Sequence, residues 1–505
     1  MTEEYESLTK NGTWEIVPRP ISKSVIDSKW IFKLKHNLDG SIARHKCRLV
    51  ARGYTQIKDI DFDNTFAPTL SKDALRILLS MAARNQWTIL QCDVKTAFLY
   101  GNIDKELYLE QPEGFDQIST PRKDYVCKLN KALYGLKQAP RLWNKTFHTV
   151  ITSLGLQQAE NEKCIYFSKD ENIFLGLYVD DILLMGNNVA KLEKIQDKLA
   201  QEFEMTNLGN AHHILGMQVT QTKTGTTIDQ AHYTRNILKT FGYQNCKPHK
   251  TPMETERVRK EEEGDKPEDQ KVYQQIVGSL LYLSTCCRPD ITAAVNQIAR
   301  FCSAPTTRHM TAVNRVMRYL AGTANLGLKM NQGQESGLEV YADSDWAGDK
   351  DDRKSTSGFV TLLHGNIIAW RSSKQQTVAL SSVEAELIAA SEAVSYNLWI
   401  MRLCTELGFL KEERATLYMD SQGAMALGTS GQPTRRTKHI EIKHYFVTNE
   451  IDNGRIRPVY VPTEQNLADI MTKGLDTTKF DTFRDKLSLT KCQEEVLSGV
   501  NNISH

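Results

Sequence analysis

A chain of 505 residues is too long for a single hydrophobic core and implies roughly two to four domains. Hydrophobic residues make up 40% and charged residues 25%, which excludes a disordered chain. No run approaches the roughly 20 apolar residues a membrane-spanning helix needs, and the acidic start MTEEYESLTKNGTWEIVPRP excludes a secretory signal. The net charge of +2 means that any basic groove has to be read locally, and ten cysteines without a C-x-x-C pair or zinc spacing read as reduced thiols of an intracellular protein.

In chain order, Lys23 to Arg52 carries eight basic residues against only Asp27 and Asp39, a local positive patch around the strand-like run RHKCRLVAR. Taken alone, such a patch is more often a solvated face. Ser71–Arg84 predicts a helix with Ser71 as N-cap, and Thr88–Val94 (TILQCDV) a buried strand. Ile173–Val179 and Ile182–Met185 are apolar runs split only by Asp180-Asp181, the pattern of a hairpin; Asn188–Glu204 is helical. Residues 254–271 (ETERVRKEEEGDKPEDQK) hold one apolar side chain, Val258, and predict a solvated linker. Amphipathic segments at 272–283, 289–301 and 308–320 make 272–335 a helical connector. A new mixed pattern begins near Gly337, with strands at Leu338–Ala342, Gly358–Leu363 and Ile367–Trp370. A long helix follows from Ser381, then a strand at Thr416–Met419 and a helix across Ile440–Glu450. The expected domains are thus 11–253, 254–271 (linker), 272–335 (connector), 336–476, and a loose polar tail, 477–505.

Two sets of carboxylates carry chemistry. Asp93 ends the strand TILQC, and Asp180 and Asp181 occupy the hairpin tip of IFLGLYV-DD-ILLMG. Bare carboxylates on apolar strand ends are costly to desolvate unless cations fill the space between them. A pair of Mg²⁺ ions about 4 Å apart does so in polymerases, and hard cations take oxygen ligands. An isolated Asp-Asp is more often a polar turn; Tyr178 before the pair (YVDD), Asp93 upstream and the intervening LYGLKQAPRLW (133–143) favour the site.

These segments, with CDVKTAFLYG upstream, resemble the reverse transcriptases of copia-type LTR retrotransposons. The resemblance runs from NGTWEIVP (11–18) to NLADIMTKGL (466–475), through KWIFKLK, KCRLVARGYTQ, TFAPTLS, GSLLYLSTCCRPDI and STSGFVTLL. It implies a right-hand polymerase of fingers, palm and thumb (11–253), then a helical connector and a ribonuclease H-like domain (336–476), an α+β and α/β multidomain chain. The resemblance assigns the polymerase metals to Asp93, Asp180 and Asp181. Phe98 becomes the aromatic gate that leaves no room for a 2′-OH. Lys46 and Arg48 become fingers residues that hold the triphosphate, where Arg suits phosphate by its bidentate fork. Gly135, Lys137 and Gln138 are expected near nucleotide and template, and Leu215-Gly216-Met217 as a primer grip.

The second set lies in the later domain. Asp343 of YADSDWAGD follows the strand start directly, as Asp345 and Asp349 do not. In SSVEAELIAA, Ser381 and Glu384 form a capping box, which leaves Glu386 beside the apolar face without a structural role. Asp420 ends TLYM and Asp469 lies in NLADIMTK. Asp343, Glu386, Asp420 and Asp469 match, in order, the metal-binding acids of ribonucleases H, where metal activates a water and steadies the leaving 3′-oxygen. Four unrelated surface acids are the default among 61, and the order of strand ends and helix start argues against that default. The His that many ribonucleases H carry before the last Asp is absent from Arg455–Asp469; His439 and His444 lie upstream without an assigned role.

The expected cofactor is Mg²⁺, two ions per active site, with Mn²⁺ as substitute. RNA template, DNA primer, RNA–DNA hybrid and dNTPs are the expected partners, with integrase and capsid of the same element, and no membrane. The expected location is a cytoplasmic virus-like particle with nuclear entry. A different class, a catalytically silent nucleic-acid-binding remnant of a decayed or domesticated element, stays open, although all seven acids are kept. The chain opens at the fingers without protease motif, zinc knuckle or integrase, as expected of a processed product, a partial sequence or a remnant.

Overall fold

Strands and helices alternate along the chain, which is known here from a computed structural model describing residues 1–36, 42–115, 120–260, 263–430 and 441–492. Asp39 of the basic patch and His439 therefore lie outside the described residues. No helix among the described residues is long and apolar enough to cross a membrane. The chain divides into two compact units that interleave in sequence: residues 1–70 with 89–210, and 71–88 with 211 onward. The linear boundary expected at residue 253 does not coincide with this division.

The first unit is built on a six-stranded sheet. In spatial order its strands are Met205–Asn210, Thr88–Val94, Asp181–Gly186, Ile173–Tyr178, Ile165–Ser168 and Gln157–Gln158. Helices Ala139–Ser153 and Val189–Glu202 bury their apolar stripes on it. Trp143, Phe147, Ile151, Leu192 and Leu199 pack with Cys92, Leu175, Leu177 and Ile182 in one core. Asn188 caps the second helix by accepting the Lys191 N–H at 3.1 Å. A four-stranded sheet (Trp14–Pro18, Tyr125–Leu129, Tyr108–Leu109, Val25–Ile26) forms a second layer. The basic run is one arm of a two-stranded ribbon, Ser28–His36 with Ile42–Ala51. Phe32 on that ribbon is 67% exposed.

In the second unit, a sheet ordered Asn366–Lys374, Thr356–Leu363, Leu338–Ser344, Ala415–Met419, Ile456–Tyr460 has three antiparallel strands followed by two parallel ones. The parallel additions require crossovers. Helix Ser382–Glu406 makes the first, and helices Gln422–Ser430 and Glu441–Asp452 lie in the second. Ser382–Glu406 is buried on most sides, with Ala385, Leu387, Ile388 and Ala389 all inside. His444 in the last of these helices donates from Nε2 to the Leu427 carbonyl at 2.8 Å, a tie between helices.

Four expectations are corrected. First, the predicted helix at Ser71–Arg84 exists as Lys72–Asn85, with Ser71 accepting the Ala74 N–H, but it belongs to the second unit. Its buried Arg76 donates to the Ile368 carbonyl at 2.6 Å and the Cys286 carbonyl at 2.9 Å, and stacks on Trp370. Second, the charged stretch after residue 253 is pinned rather than free. Arg257 pairs with Asp345 at 2.5 Å and donates to Thr356 Oγ1 at 2.7 Å and to the Thr472 carbonyl. A charged segment that finds partners on a folded surface need not bury apolar area to be held. Third, the connector contains a strand, Leu326–Met330, beside its three helices Gln270–Cys286, Thr292–Ala299 and Thr307–Thr323.

Fourth, the expected tail folds up to residue 492: helix Thr477–Lys486 and strand Leu489–Lys491, which pairs with Leu326–Met330. Phe480, Phe483 and Leu487 recur at helical spacing, and all three, with Leu489 of the strand, are buried. Phe483→Ala is accordingly expected to cost about 3–5 kcal/mol by urea unfolding, as for a core aromatic. A loss within about 0.5 kcal/mol would restore the loose tail.

Two candidate active sites

In the first unit the pairing of strands sets the strand end that carries Asp93 beside the hairpin that carries Asp180 and Asp181, at one end of the sheet. The Val94 N–H donates to the Asp180 carbonyl at 2.9 Å, so the Asp93 strand end abuts the hairpin turn. The hairpin register pairs Tyr178 with Asp181, so the turn consists of Val179 and Asp180, and Asp181 begins the return strand. Val179 has φ +56°, a conformation costly for a β-branched residue. It is held by Trp143, whose indole N–H donates to the Val179 carbonyl at 2.6 Å. Asp181 accepts from Gln91 at 3.4 Å.

Phe98 meets Tyr134 edge-on with ring centroids 4.7 Å apart. Arg48 lies over the same tyrosine, 4.1 Å from its centroid, and donates to its hydroxyl at 3.1 Å. Burial raises the Tyr134 phenol pKa against the pull of Arg48, with Asp180, Glu4 and Asp93 adding to the rise. Tyr134 is thus a site residue the sequence reading missed; its signal was the aromatic just before the Gly-Leu-Lys of LYGLKQAP. Lys46 stands two residues from Arg48 on the same strand face, and both act on Glu4.

Gly135 has φ +96°, and a Cβ there would stand 2.1 Å from the Ala51 carbonyl oxygen. It lets the loop close on the ribbon base, where the Ala51 N–H donates to the Tyr134 carbonyl at 2.8 Å. Gly135→Ala is expected to lower stability by about 2 kcal/mol or more, read as a drop of several degrees in Tm.

Two residues expected near nucleotide and template are bonded within this unit. Lys137 donates to the Gln56 carbonyl at 3.2 Å and lies over the Phe62 ring. Gln138 is wholly buried, accepting from Gln56 at 3.0 Å and donating to the Asp61 carbonyl at 3.0 Å. Both brace the 56–62 loop; a buried amide with both ends satisfied is a strut. Leu215 and Gly216 form a tight two-residue turn with φ +51° and +72°. Tyr282 donates to the Leu215 carbonyl at 2.7 Å, and Met217 is buried. This expected primer grip belongs to the second unit.

The second unit assembles the other set from three separate elements. Asp343 ends the middle strand, Asp420 follows the adjacent parallel strand, and Glu386 lies in the helix that joins them. Their carboxylate oxygens lie within 4.8 Å of one another, the only such acidic trio among the described residues. Glu386 accepts from the Ser344 N–H at 3.3 Å through Oε1, while its buried Oε2 has no hydrogen-bond partner. Thr463 donates to Asp420 at 2.8 Å, and Thr472 donates to Asp343. Burial, then the charges of Asp343 and Asp420, push the Glu386 carboxyl well above its ordinary pKa; burial raises Asp343 as well, against the pull of Lys473. Hard oxygen donors, mutual repulsion and one orphaned oxygen fit a divalent cation.

Asp469, the fourth expected acid, is buried in the short helix Leu467–Met471 and is held by Lys473 at 2.7 Å and Lys479 at 2.6 Å. Both lysines were missed; Lys473 could have been found by its i,i+4 spacing from Asp469. Asp345 is taken by Arg257, and Asp349 is paired with Lys374 and Arg300. Glu384 is buried and its N–H is bonded to Ser381 at 3.2 Å. Its carboxylate, however, accepts from the Leu380 N–H at 2.7 Å rather than from Ser381.

Fold and strand order define a right-hand polymerase coupled to a ribonuclease H-like domain, in the class of reverse transcriptases. The model of the family "Reverse transcriptase (RNA-dependent DNA polymerase)" matches residues 11–255. The retrovirus-related Pol polyprotein from transposon RE1 of Arabidopsis thaliana is 38% identical over 494 residues, 97% of this chain and 34% of that protein. Its counterpart from transposon TNT 1-94 of Nicotiana tabacum is 38% identical over 500 residues, 97% of this chain and 37% of that protein. The transposon Ty5-1 protein YCL074W of Saccharomyces cerevisiae is 34% identical over 306 residues, 60% of this chain and 99% of that protein. The chain belongs to the Pol family of copia-type retrotransposons. It spans about a third of the length of the first two relatives. In fold it is similar to the foamy viral protease-reverse transcriptase solved with an RNA/DNA hybrid. That likeness has a TM-score of 0.54 and 14% identity, and covers 94% of this chain and 54% of that one.

Proposed function

We propose that this chain is an RNA-directed DNA polymerase with ribonuclease H activity, extending a DNA primer on retrotransposon RNA with dNTPs and hydrolysing the RNA strand of the resulting hybrid. What carries the reading is the presence in one chain of two carboxylate sets on separate sheets: Asp93 beside the strained YVDD turn, and the buried trio Asp343, Glu386 and Asp420. In the polymerase site, Asp93, Asp180 and Asp181 hold Mg²⁺, and Phe98, backed by Tyr134, lies under the sugar and excludes a 2′-OH. Arg48 and Lys46 on the ribbon draw in the triphosphate. In the ribonuclease site, Asp343, Glu386 and Asp420 hold Mg²⁺ with Asp469 behind them. Bound Mg²⁺ supplies Lewis-acid charge that activates the attacking oxygen and steadies the leaving one. The protein contributes geometry and a water-poor wall of apolar strands that strengthens each charge interaction.

The test is dTTP incorporation on poly(rA)/oligo(dT) with Mg²⁺, beside Asp180→Asn, Asp181→Asn. Incorporation is expected from the wild type and a loss of about 10³-fold or more from the variant, since each decade is about 1.4 kcal/mol and metal charge stabilisation amounts to several. A folded, hybrid-binding chain without incorporation would refute the polymerase and favour a silent remnant.

A further inference from the structure

The fourth acid of the ribonuclease site is not disposed like the other three. Both oxygens of Asp469 face ammonium groups, Oδ1 toward Lys473 at 2.7 Å and Oδ2 toward Lys479 at 2.6 Å, with the carboxylate fully buried. Lys473 also reaches toward Asp343 Oδ2 at 3.6 Å, so its ammonium stands between the carboxylates of Asp469 and Asp343, which would otherwise be free to help hold a second divalent ion. Glu386, in contrast, is 8% exposed, makes no ion pair among the described residues and lies in the trio with Asp343 and Asp420; its Oε2, like Asp469 Oδ1, is buried without a hydrogen-bond partner. Charge balance agrees. Two of the four carboxylate charges are offset by the two lysines, and one divalent ion offsets the remaining two. A second ion would leave a surplus of two positive charges in a low-dielectric pocket. Lys479 comes from helix Thr477–Lys486, and its ammonium is steadied over the Phe483 ring, so the folded C-terminal helix is part of the arrangement.

We propose that Lys473 occupies the place of the second metal in the resting ribonuclease site, so that one divalent ion binds tightly at Asp343, Glu386 and Asp420. Asp469, clamped by Lys473 and Lys479, is then a positioning residue rather than a standing metal ligand. This rests on the ribonuclease reading above.

The readout is the number of Mn²⁺ ions bound, followed by electron paramagnetic resonance of free Mn²⁺, in the full chain carrying Asp180→Asn and Asp181→Asn to silence the polymerase site. One tight ion is expected, lost in Glu386→Gln. Adding Lys473→Met is expected to admit a second ion at least ten times more tightly than before, whereas Lys473→Arg and Lys479→Met keep the count at one. If Lys473→Met melts early, Lys473→Gln replaces it. Two ions of equal affinity with Lys473 intact, or a count still at one after its removal in a folded variant, would overturn the proposal and leave the ribonuclease reading standing. No ion at all sensitive to Glu386→Gln would overturn both.

Discussion

Glu386→Gln in the intact chain is expected to lower hydrolysis of the RNA strand of a hybrid by about 10³-fold or more, while dTTP incorporation stays within about twofold. Gln keeps the shape of the side chain and the bond from the Ser344 N–H, but removes the charge that faces Asp343 and Asp420. The same change is expected to stabilise the metal-free protein. Burial and two neighbouring carboxylates raise the Glu386 pKa above its ordinary 4.5, so the folded chain holds that proton more tightly than the unfolded one. Stability therefore falls as pH rises from about 4.5 through the raised value, and the Gln variant escapes that loss. The gap between variant and wild type in EDTA should be widest at high pH and should shrink when Mg²⁺ is added. A variant that still cleaves, or one that is less stable than wild type in EDTA at pH 8, would remove Glu386 from the site. Such a trade of stability for chemistry is common where like charges are gathered on purpose.

The second large effect concerns stability alone. Arg288→Met is expected to destabilise the chain by about 3–5 kcal/mol in urea unfolding, with an unchanged m-value. The Arg288 side chain is 1% exposed and holds Asp290 through two bonds of 2.9 and 2.8 Å, along with the Thr323 carbonyl and hydroxyl. Tyr319 donates to the same carboxylate at 2.7 Å. Removing one ion leaves Asp290 charged in the core with a single remaining donor. Adding Asp290→Leu to the variant should recover part of the loss, because the pair itself is worth less than the charge it neutralises. A single-variant loss under about 1 kcal/mol would mean the pair is hydrated in solution. The CCRPD wording, a mark of the family resemblance, is thus accounted for by a buried pair tying helix Gln270–Cys286 to helix Thr307–Thr323.

Local chemistry made several elements legible in advance. The caps at Ser71 and Ser381 are written in adjacent residues, because an N-cap needs only a side-chain oxygen within three residues of the N–H it serves. The YVDD hairpin was legible because two apolar runs must turn where the carboxylates interrupt them, although the strain at Val179 was not. The partners of Gln138 and Lys137 were not legible, since nothing nearby in the sequence says that Gln56 and Asp61, some 80 residues upstream, receive them. The loose tail was misread because Phe480, Phe483, Leu487 and Leu489 are diluted by charged residues, and a strand of three residues gains its worth only from a partner far upstream.

By itself, then, the sequence determined the chemistry on offer: which carboxylates end apolar strands, which side-chain oxygens cap helices, and which residue order marks a copia-type Pol. Those are properties of short windows, set by backbone sterics and side-chain solvation. Only the tertiary structure decided which acids meet. It joined Asp343, Glu386 and Asp420, gave Asp469 to two lysines, and gave Asp345 to Arg257 from the charged segment. The reason is that a carboxylate's partner is fixed by strand order and crossover connections. These bring residues tens to hundreds of positions apart within hydrogen-bond reach, and no local pattern encodes them.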